Sequence, residues 1–116
     1  MRPYQFCNLS EVICRADDTL ETLKEKVRLA TIIGTIQSTY THFPYLRDVW
    51  RKNTEAERLL GVSLTGIMDC RLLNGSIPMI CEGDSGDLDD ILNTLRQAAI
   101  DTNAEWAAKL GIPQSA

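Results

Sequence analysis

Four thiols and one imidazole are the side chains of this sequence best suited to covalent or metal chemistry: Cys7, Cys14, Cys70, Cys81 and His42. No two cysteines make a Cys-x-x-Cys pair, and their spacing from His42 matches none of the usual zinc arrangements. Cys7 and Cys14 are the nearest pair in sequence, but on one strand they would stand about 23 Å apart, beyond any disulfide. That spacing argues against a small redox protein built on those two thiols. Cys14, Cys70 and Cys81 read as plain buried or loop thiols, and the same reading is open to Cys7. The alternative for Cys7 is one half of a dithiol whose partner lies on a facing strand. Such a pair gives up two electrons, closes to a disulfide and is reset by thiol–disulfide exchange. Among the other polar residues, Asp84, Asp87, Asp89 and Asp90 lack the alternate spacing and closing glutamate of a calcium loop and suit helix capping instead. Glu11 reads as an ordinary strand-edge or loop carboxylate, with a partly polar interior as the alternative. His42 reads as a helix-end residue suited to the C-terminal dipole. Gly61 and Gly66 do not make a phosphate-cradling Gly-x-Gly-x-x-Gly.

The elements that must position Cys7 follow from periodicity. Residues 4–14 read as a strand: Phe6, Val12 and Cys14 share one parity, Cys7, Leu9 and Ile13 the other. Two largely apolar faces suit a strand covered on both sides, as in parallel sheets. Asp18-x-x-Glu21 resembles a helix cap. From Thr19 to about Tyr40, Leu20, Leu23, Val27, Ala30 and Ile33 or Gly34 recur at helical spacing, opposite Glu21, Lys24, Glu25 and Arg28. The later half of this helix is apolar nearly all round and is expected to be buried on more than one side. Pro44 fits the first turn of a second helix running from Tyr45 to about Lys52, which Asn53-Thr54 ends or interrupts. Residues 59–67 read as a second buried strand, although Gly61 and Gly66 weaken it and mark close approach of a backbone or ligand. Turn signals fill 71–86. Asp84-Ser85-Gly86-Asp87 leads into a third helix with a stripe of Leu88, Ile91, Leu92, Leu95, Ala98, Ala99, Thr102, Trp106 and Leu110, stopped by Gly111 and Pro113.

The predicted fold class is therefore α/β, in the order strand, helix, helix, strand, helix, with a right-handed parallel crossover as the geometric default. Two strands alone make a marginal sheet, so the apolar second strand predicts further protein around it. The 116 residues suffice for one domain with a real core. A net charge of -4 without a basic stripe argues against nucleic-acid binding. No apolar run reaches the ~18 residues of a membrane span, and no secretory signal opens the chain, so the expected location is cytoplasmic.

The tract Arg2-Pro3-Tyr4-Gln5-Phe6-Cys7-Asn8-Leu9-Ser10-Glu11-Val12 resembles the region just after the thiyl-radical cysteine of adenosylcobalamin-dependent (class II) ribonucleotide reductases, the monomeric ribonucleoside-triphosphate reductase type. The likeness continues through Arg15-Ala-Asp-Asp-Thr-Leu-Glu, Lys26-Val-Arg-Leu-Ala-Thr-Ile, Gly34-Thr-Ile-Gln-Ser and Phe43-Pro-Tyr-Leu-Arg. It resumes at Glu57-Arg-Leu-Leu-Gly-Val-Ser-Leu-Thr-Gly-Ile-Met-Asp and ends with Ile100-Asp-Thr-Asn and Lys109-Leu-Gly-Ile-Pro-Gln-Ser-Ala. It covers nearly the whole chain in order. The opening tract and residues 59–69 are its specific parts.

The resemblance implies that residues 1–116 are a partial catalytic-barrel domain, the start of the second half-barrel of a ten-stranded α/β barrel. It implies one catalytic residue here, Cys7, as the redox-active reducing cysteine, with its disulfide partner on a strand this chain lacks. The Asn-x-Cys-x-Glu finger loop, the phosphate-binding loop and the C-terminal cysteine pair of such enzymes are likewise absent from these residues, and no cobalamin ligand can be matched to a position. The cofactor implied for the complete enzyme is adenosylcobalamin. The implied partners are the remaining parts of the reductase in cis or trans, a ribonucleoside triphosphate and a thioredoxin-like reductant. The expected function is thus that of a reductase fragment, inactive alone. The alternative is a non-catalytic helical interaction module derived from a split reductase gene.

Overall fold

The computed structural model describes residues 2–75 and 88–116, so Pro78, Cys81, Gly83, Asp84, Gly86 and Asp87 lie outside the described residues. Two strands, β1 (Asn8–Ile13) and β2 (Leu60–Thr65), pair in parallel with Asn8 opposite Leu60 and Ile13 opposite Thr65. Between them run helices α1 (Leu20–Gln37) and α2 (Asp48–Glu57), and α3 (Leu88–Leu110) follows β2. The expected α/β order and the parallel crossover are both present.

Helix α1 starts one residue later than the acidic signal suggested. Thr19 is the N-cap: its side chain accepts from the Thr22 N–H, and the Thr22 hydroxyl accepts from the Thr19 N–H, which satisfies two otherwise orphaned donors. Asp18 is occupied elsewhere. Its carboxylate takes the Lys26 ammonium at 2.6 Å and the Arg15 N–H at 2.8 Å, and Lys26 also donates to the Ile13 carbonyl at 3.1 Å. This cluster fixes the turn from β1 into α1. The helix ends at Gln37, short of Tyr40, where the hydroxyls of Ser38 and Thr39 bond back to the carbonyls of Thr35 and Ile36 and compete with further helical bonds.

Leu23, Val27, Ala30 and Gly34 of α1 are buried, and Gly34, not Ile33, completes the stripe. A Cβ at Gly34 would lie 3.5 Å from Leu60 Cδ2 and 3.7 Å from Ser10 Oγ, so the helix and sheet meet closely there. The core of the molecule gathers Val12, Cys14, Leu23, Val27, Cys70, Leu73, Ile91 and Leu95. Helix α3 packs along α1. The expectation that the later half of α1 is covered on several sides fails: Leu29, Ile33 and Ile36 are exposed, because α1 has the sheet on one side, α3 on another and, among the described residues, nothing on the third.

Two other boundaries differ from expectation. Pro44 lies in a turn, and α2 begins only at Asp48, whose carboxylate pairs with Arg51 at 2.7 Å and Lys52 at 2.8 Å. The helix then runs through Asn53-Thr54 to Glu57 and stops at Arg58, which takes the left-handed conformation (φ 46). Both strands are shorter than predicted, and β1 starts at Asn8, so Cys7 stands just ahead of the strand, not inside it.

Candidate functional site

Cys7 is held by the anchoring of its two neighbours. On one side, the Phe6 N–H donates to the buried Thr54 hydroxyl at 3.2 Å. The residues before it are tied to α2 as well: Gln5 Nε2 donates to Glu57 at 2.9 Å and Asn53 Nδ2 to the Pro3 carbonyl at 2.7 Å. The Phe6 ring sits 4.9 Å from Phe43 and 5.0 Å from Trp50, and Tyr4 lies 5.9 Å from Trp50 with the Arg47 guanidinium over its face. Ring pairs at these distances add to simple area burial. On the other side, Asn8 is buried, and both its backbone N–H (2.8 Å) and its Nδ2 (3.1 Å) donate to the Leu59 carbonyl. Between these anchors the Cys7 side chain is exposed.

The sheet register decides what it faces. Asn8, Ser10 and Val12 of β1, with Leu60, Val62 and Leu64 of β2, form the face toward α1. Cys7, Leu9, Glu11, Ile13, Gly61, Ser63 and Thr65 share the opposite face. That face has no helix over it among the described residues, and Leu9 is 72% exposed. The expectation of a sheet covered on both sides is therefore corrected: only one of the two apolar parities of β1 is packed. Cys7 Sγ lies 3.7 Å from the point where a Gly61 Cβ would stand, so the missing side chain of Gly61 leaves the surface beside the thiol open.

Glu11 is on the same open face, but four residues along a strand is about 13 Å, too far for direct proton exchange with Cys7. Cys14 lies at the other end of β1 and is buried, as is Cys70. Burial pushes the Cys14 thiol up, and the neighbouring Cys70 and the Asp18 carboxylate push it further. A raised thiol is a poor nucleophile, and Cys70 is fully buried, so both fit the role of core residues expected from the sequence. His42 is exposed, five residues past the end of α1, and the C-terminal turn of that helix is closed without it. No cluster of three metal-ligating side chains occurs among the described residues.

A second set of buried polar residues had no functional signature in the sequence. Asn103 of α3 donates through Nδ2 to Thr35 Oγ1 of α1 (3.0 Å), and the Thr35 hydroxyl donates to the Thr31 carbonyl (2.8 Å). Asn103 Oδ1 accepts from the Ser115 N–H (2.9 Å), and Ser115 Oγ accepts from the Leu60 N–H (3.1 Å). This chain of bonds ties both long helices and the C-terminal residues to the start of β2. Its only trace in the sequence is a polar residue at helical spacing within each apolar stripe. A groove of about 600 Å³ runs beside it, between α3, α1 and β2. In comparisons with known proteins the chain matches no family model, no curated protein and no solved structure. No described helix is long and apolar enough to cross a membrane.

Proposed function

We propose that this chain is a segment of the catalytic barrel of a class II ribonucleotide reductase, contributing Cys7 as one of the two thiols that reduce a ribonucleoside triphosphate at the 2′ carbon. The observation that carries the reading is the exposed Cys7 thiol, anchored at the head of a parallel strand on the sheet face that no described helix covers. A barrel lumen requires such a face, with helices confined to the outside and reactive side chains pointing inward.

The reduction balances with two thiols. The 2′-hydroxyl leaves as water, a C–H bond takes its place, two electrons and two protons come from the thiols, and an S–S bond forms. Cys7 supplies one thiol. On this reading the second belongs to another segment; Cys14 and Cys70 are buried in the core, and Cys81 lies outside the described residues. A dithiol reductant then reopens the disulfide by exchange. The described residues do not fit adenosylcobalamin: the 600 Å³ groove is mainly apolar, and the lone histidine, His42, lines neither it nor the sheet face. The cofactor of such an enzyme would be held by the rest of the barrel, and no step on this chain runs through it.

The chain alone is expected to give no turnover with adenosylcobalamin, a ribonucleoside triphosphate and a dithiol. The decisive experiment is complementation: co-express it with a monomeric triphosphate reductase from which the corresponding segment has been deleted, and measure deoxynucleotide formation. Restored activity that disappears with Cys7→Ser supports the assignment. No restoration, or equal restoration by Cys7→Ser, overturns it. The exposed Leu29, Ile33 and Ile36 on α1 favour a second reading, an interaction module that buries this helix face against another protein. For that reading, association would be lost with Ile33→Glu and unaffected by Cys7→Ser.

A further inference from the structure

Among the described residues no strand pairs with the outer edge of β2, and this edge is a surface with its own chemistry, independent of Cys7. The Asn8 N–H donates to the Leu59 carbonyl and the Cys14 N–H to the Thr65 carbonyl, both at 2.8 Å. In a parallel ladder this places the main-chain groups of the odd-numbered β2 residues against β1 and those of Leu60, Val62 and Leu64 on the outer edge. One of these, the Leu60 N–H, is taken by Ser115 Oγ. The outer-edge N–H and C=O groups of Val62 and Leu64 have no partner among the described residues, and both residues line the groove that lies between β2 and α3. The groove wall is apolar, formed by Leu92, Leu95 and Ala99 of α3 with Val27 of α1 and the side chains of Val62 and Leu64.

An edge of unpaired main-chain groups beside an apolar trough is the geometry of strand addition: the backbone bonds give affinity, and alternate side chains fill the trough. Charge narrows the occupant. Arg96 lines the groove, is exposed, and has no ion pair or hydrogen bond among the described residues. Asn103 closes the Leu60 end through Ser115. Arg96, seven residues back along α3 or about 10 Å, stands toward the Leu64 end. We propose that this groove binds an extended strand of another polypeptide, with apolar side chains at alternate positions and a carboxylate level with Arg96. The proposal does not require the reductase reading, since it involves neither Cys7 nor the open sheet face.

The test uses the full chain and a blocked nine-residue peptide of alternating valine and threonine with one central glutamate. Amide hydrogen exchange is followed residue by residue. On adding peptide, the Val62 and Leu64 amides are expected to slow at least tenfold, on the order seen when an open strand edge becomes paired, while Gly61 and Ser63 do not change. Ala99→Trp, which fills the trough, should abolish the effect. Should that variant fold poorly, Arg96→Glu changes only an exposed side chain. It should weaken the glutamate peptide about threefold and strengthen the same peptide carrying lysine. The proposal is overturned if no peptide slows Val62 and Leu64, or if Leu9, Glu11 and Ile13 on the outer edge of β1 slow instead. Protection of Val62 and Leu64 that grows with protein concentration in the absence of peptide would identify a second copy as the occupant and would also overturn it. Failure of complementation by Cys7→Ser bears only on the reductase reading.

Discussion

An alanine at Gly66 would put its methyl 2.5 Å from the Cys14 carbonyl oxygen, whereas an alanine at Gly61 would put its methyl 2.6 Å from Leu9 Cδ2. The distances are nearly equal and the expected consequences are not. Gly66 has φ +74, a left-handed conformation that costs an L-residue roughly 1–2 kcal/mol. The atom in its way is backbone, and Cys14 is held by the 2.8 Å bond from its N–H to Thr65. Moving that carbonyl loosens the last rung of the parallel pair, worth about 1 kcal/mol net. Gly66→Ala should therefore lose about 2–3 kcal/mol in all. At Gly61 the obstacle is the tip of a leucine that is 72% exposed and free to change rotamer. That adjustment costs about 0.5–1 kcal/mol. It is offset by the roughly 0.5–1 kcal/mol that glycine forfeits in a strand relative to alanine, so the net change should stay within about 1 kcal/mol. Equilibrium urea unfolding, followed through the fluorescence of Trp50 and Trp106, compares the two variants at equal slope. Equal losses, or a larger loss at Gly61, would refute the reasoning, because they would mean that the open sheet face is packed in solution.

Three further outcomes follow from named contacts. Asn103→Leu leaves the Ser115 N–H without its acceptor and Thr35 Oγ1 without its donor, so unfolding by urea should show a loss of about 1–3 kcal/mol, with faster amide exchange at Leu60 as Ser115 comes loose. The hydrogen bond from Lys26, then those from Arg15 and Thr22, hold the Asp18 carboxyl below its ordinary range. A depressed carboxylate stabilises the fold above its unfolded pKa of about 3.9. That contribution is lost as pH falls through the lower folded value. The urea midpoint should thus fall with acid below about pH 4, and this fall should be shallower in Asp18→Asn. Alkylation by iodoacetamide, mapped by mass spectrometry, should modify Cys7 in the native protein on the order of 100-fold faster than Cys14 or Cys70, whose thiols are buried.

The element order could be read from the chain because the apolar period changes from two to three-and-a-half and back, a local property. The boundaries that moved did so through long-range partners. Residues 4–7 read as strand, yet Tyr4 has φ 58, and the backbone of Pro3 and Phe6 bonds to Asn53 and Thr54, about fifty positions away in sequence. The same Thr54 explains why α2 runs through a pair of residues that usually end a helix: it is buried beneath Phe6. Both apolar parities of β1 suggested two covered faces, since pattern reports what a side chain prefers and not what stands opposite it. Cys7 could be singled out as a thiol near a strand. Its exposure beside Gly61 required the register, and the Asn103 chain required the packing of α1 on α3.

Three unpartnered apolar surfaces remain on the described residues: the sheet face at Leu9 and Ile13, the outer side of α1 at Leu29 and Ile33, and the trough along β2. They point in different directions, and that separates the two functional readings. A helical module that pairs through α1 would cover one of them and leave the other two in water. A barrel segment uses all three at once, with the lumen beyond the sheet face, a neighbouring strand along β2 and further protein over α1. The exposed leucine and isoleucine of β1 are the harder pair for the module to explain. They flank Glu11 on a strand whose other face already packs on α1, and both are exposed among the described residues. A strand needed only to support a helix would gain solubility from polar residues there. Apolar side chains on that face, with an anchored thiol at its head, make sense where the face encloses a site.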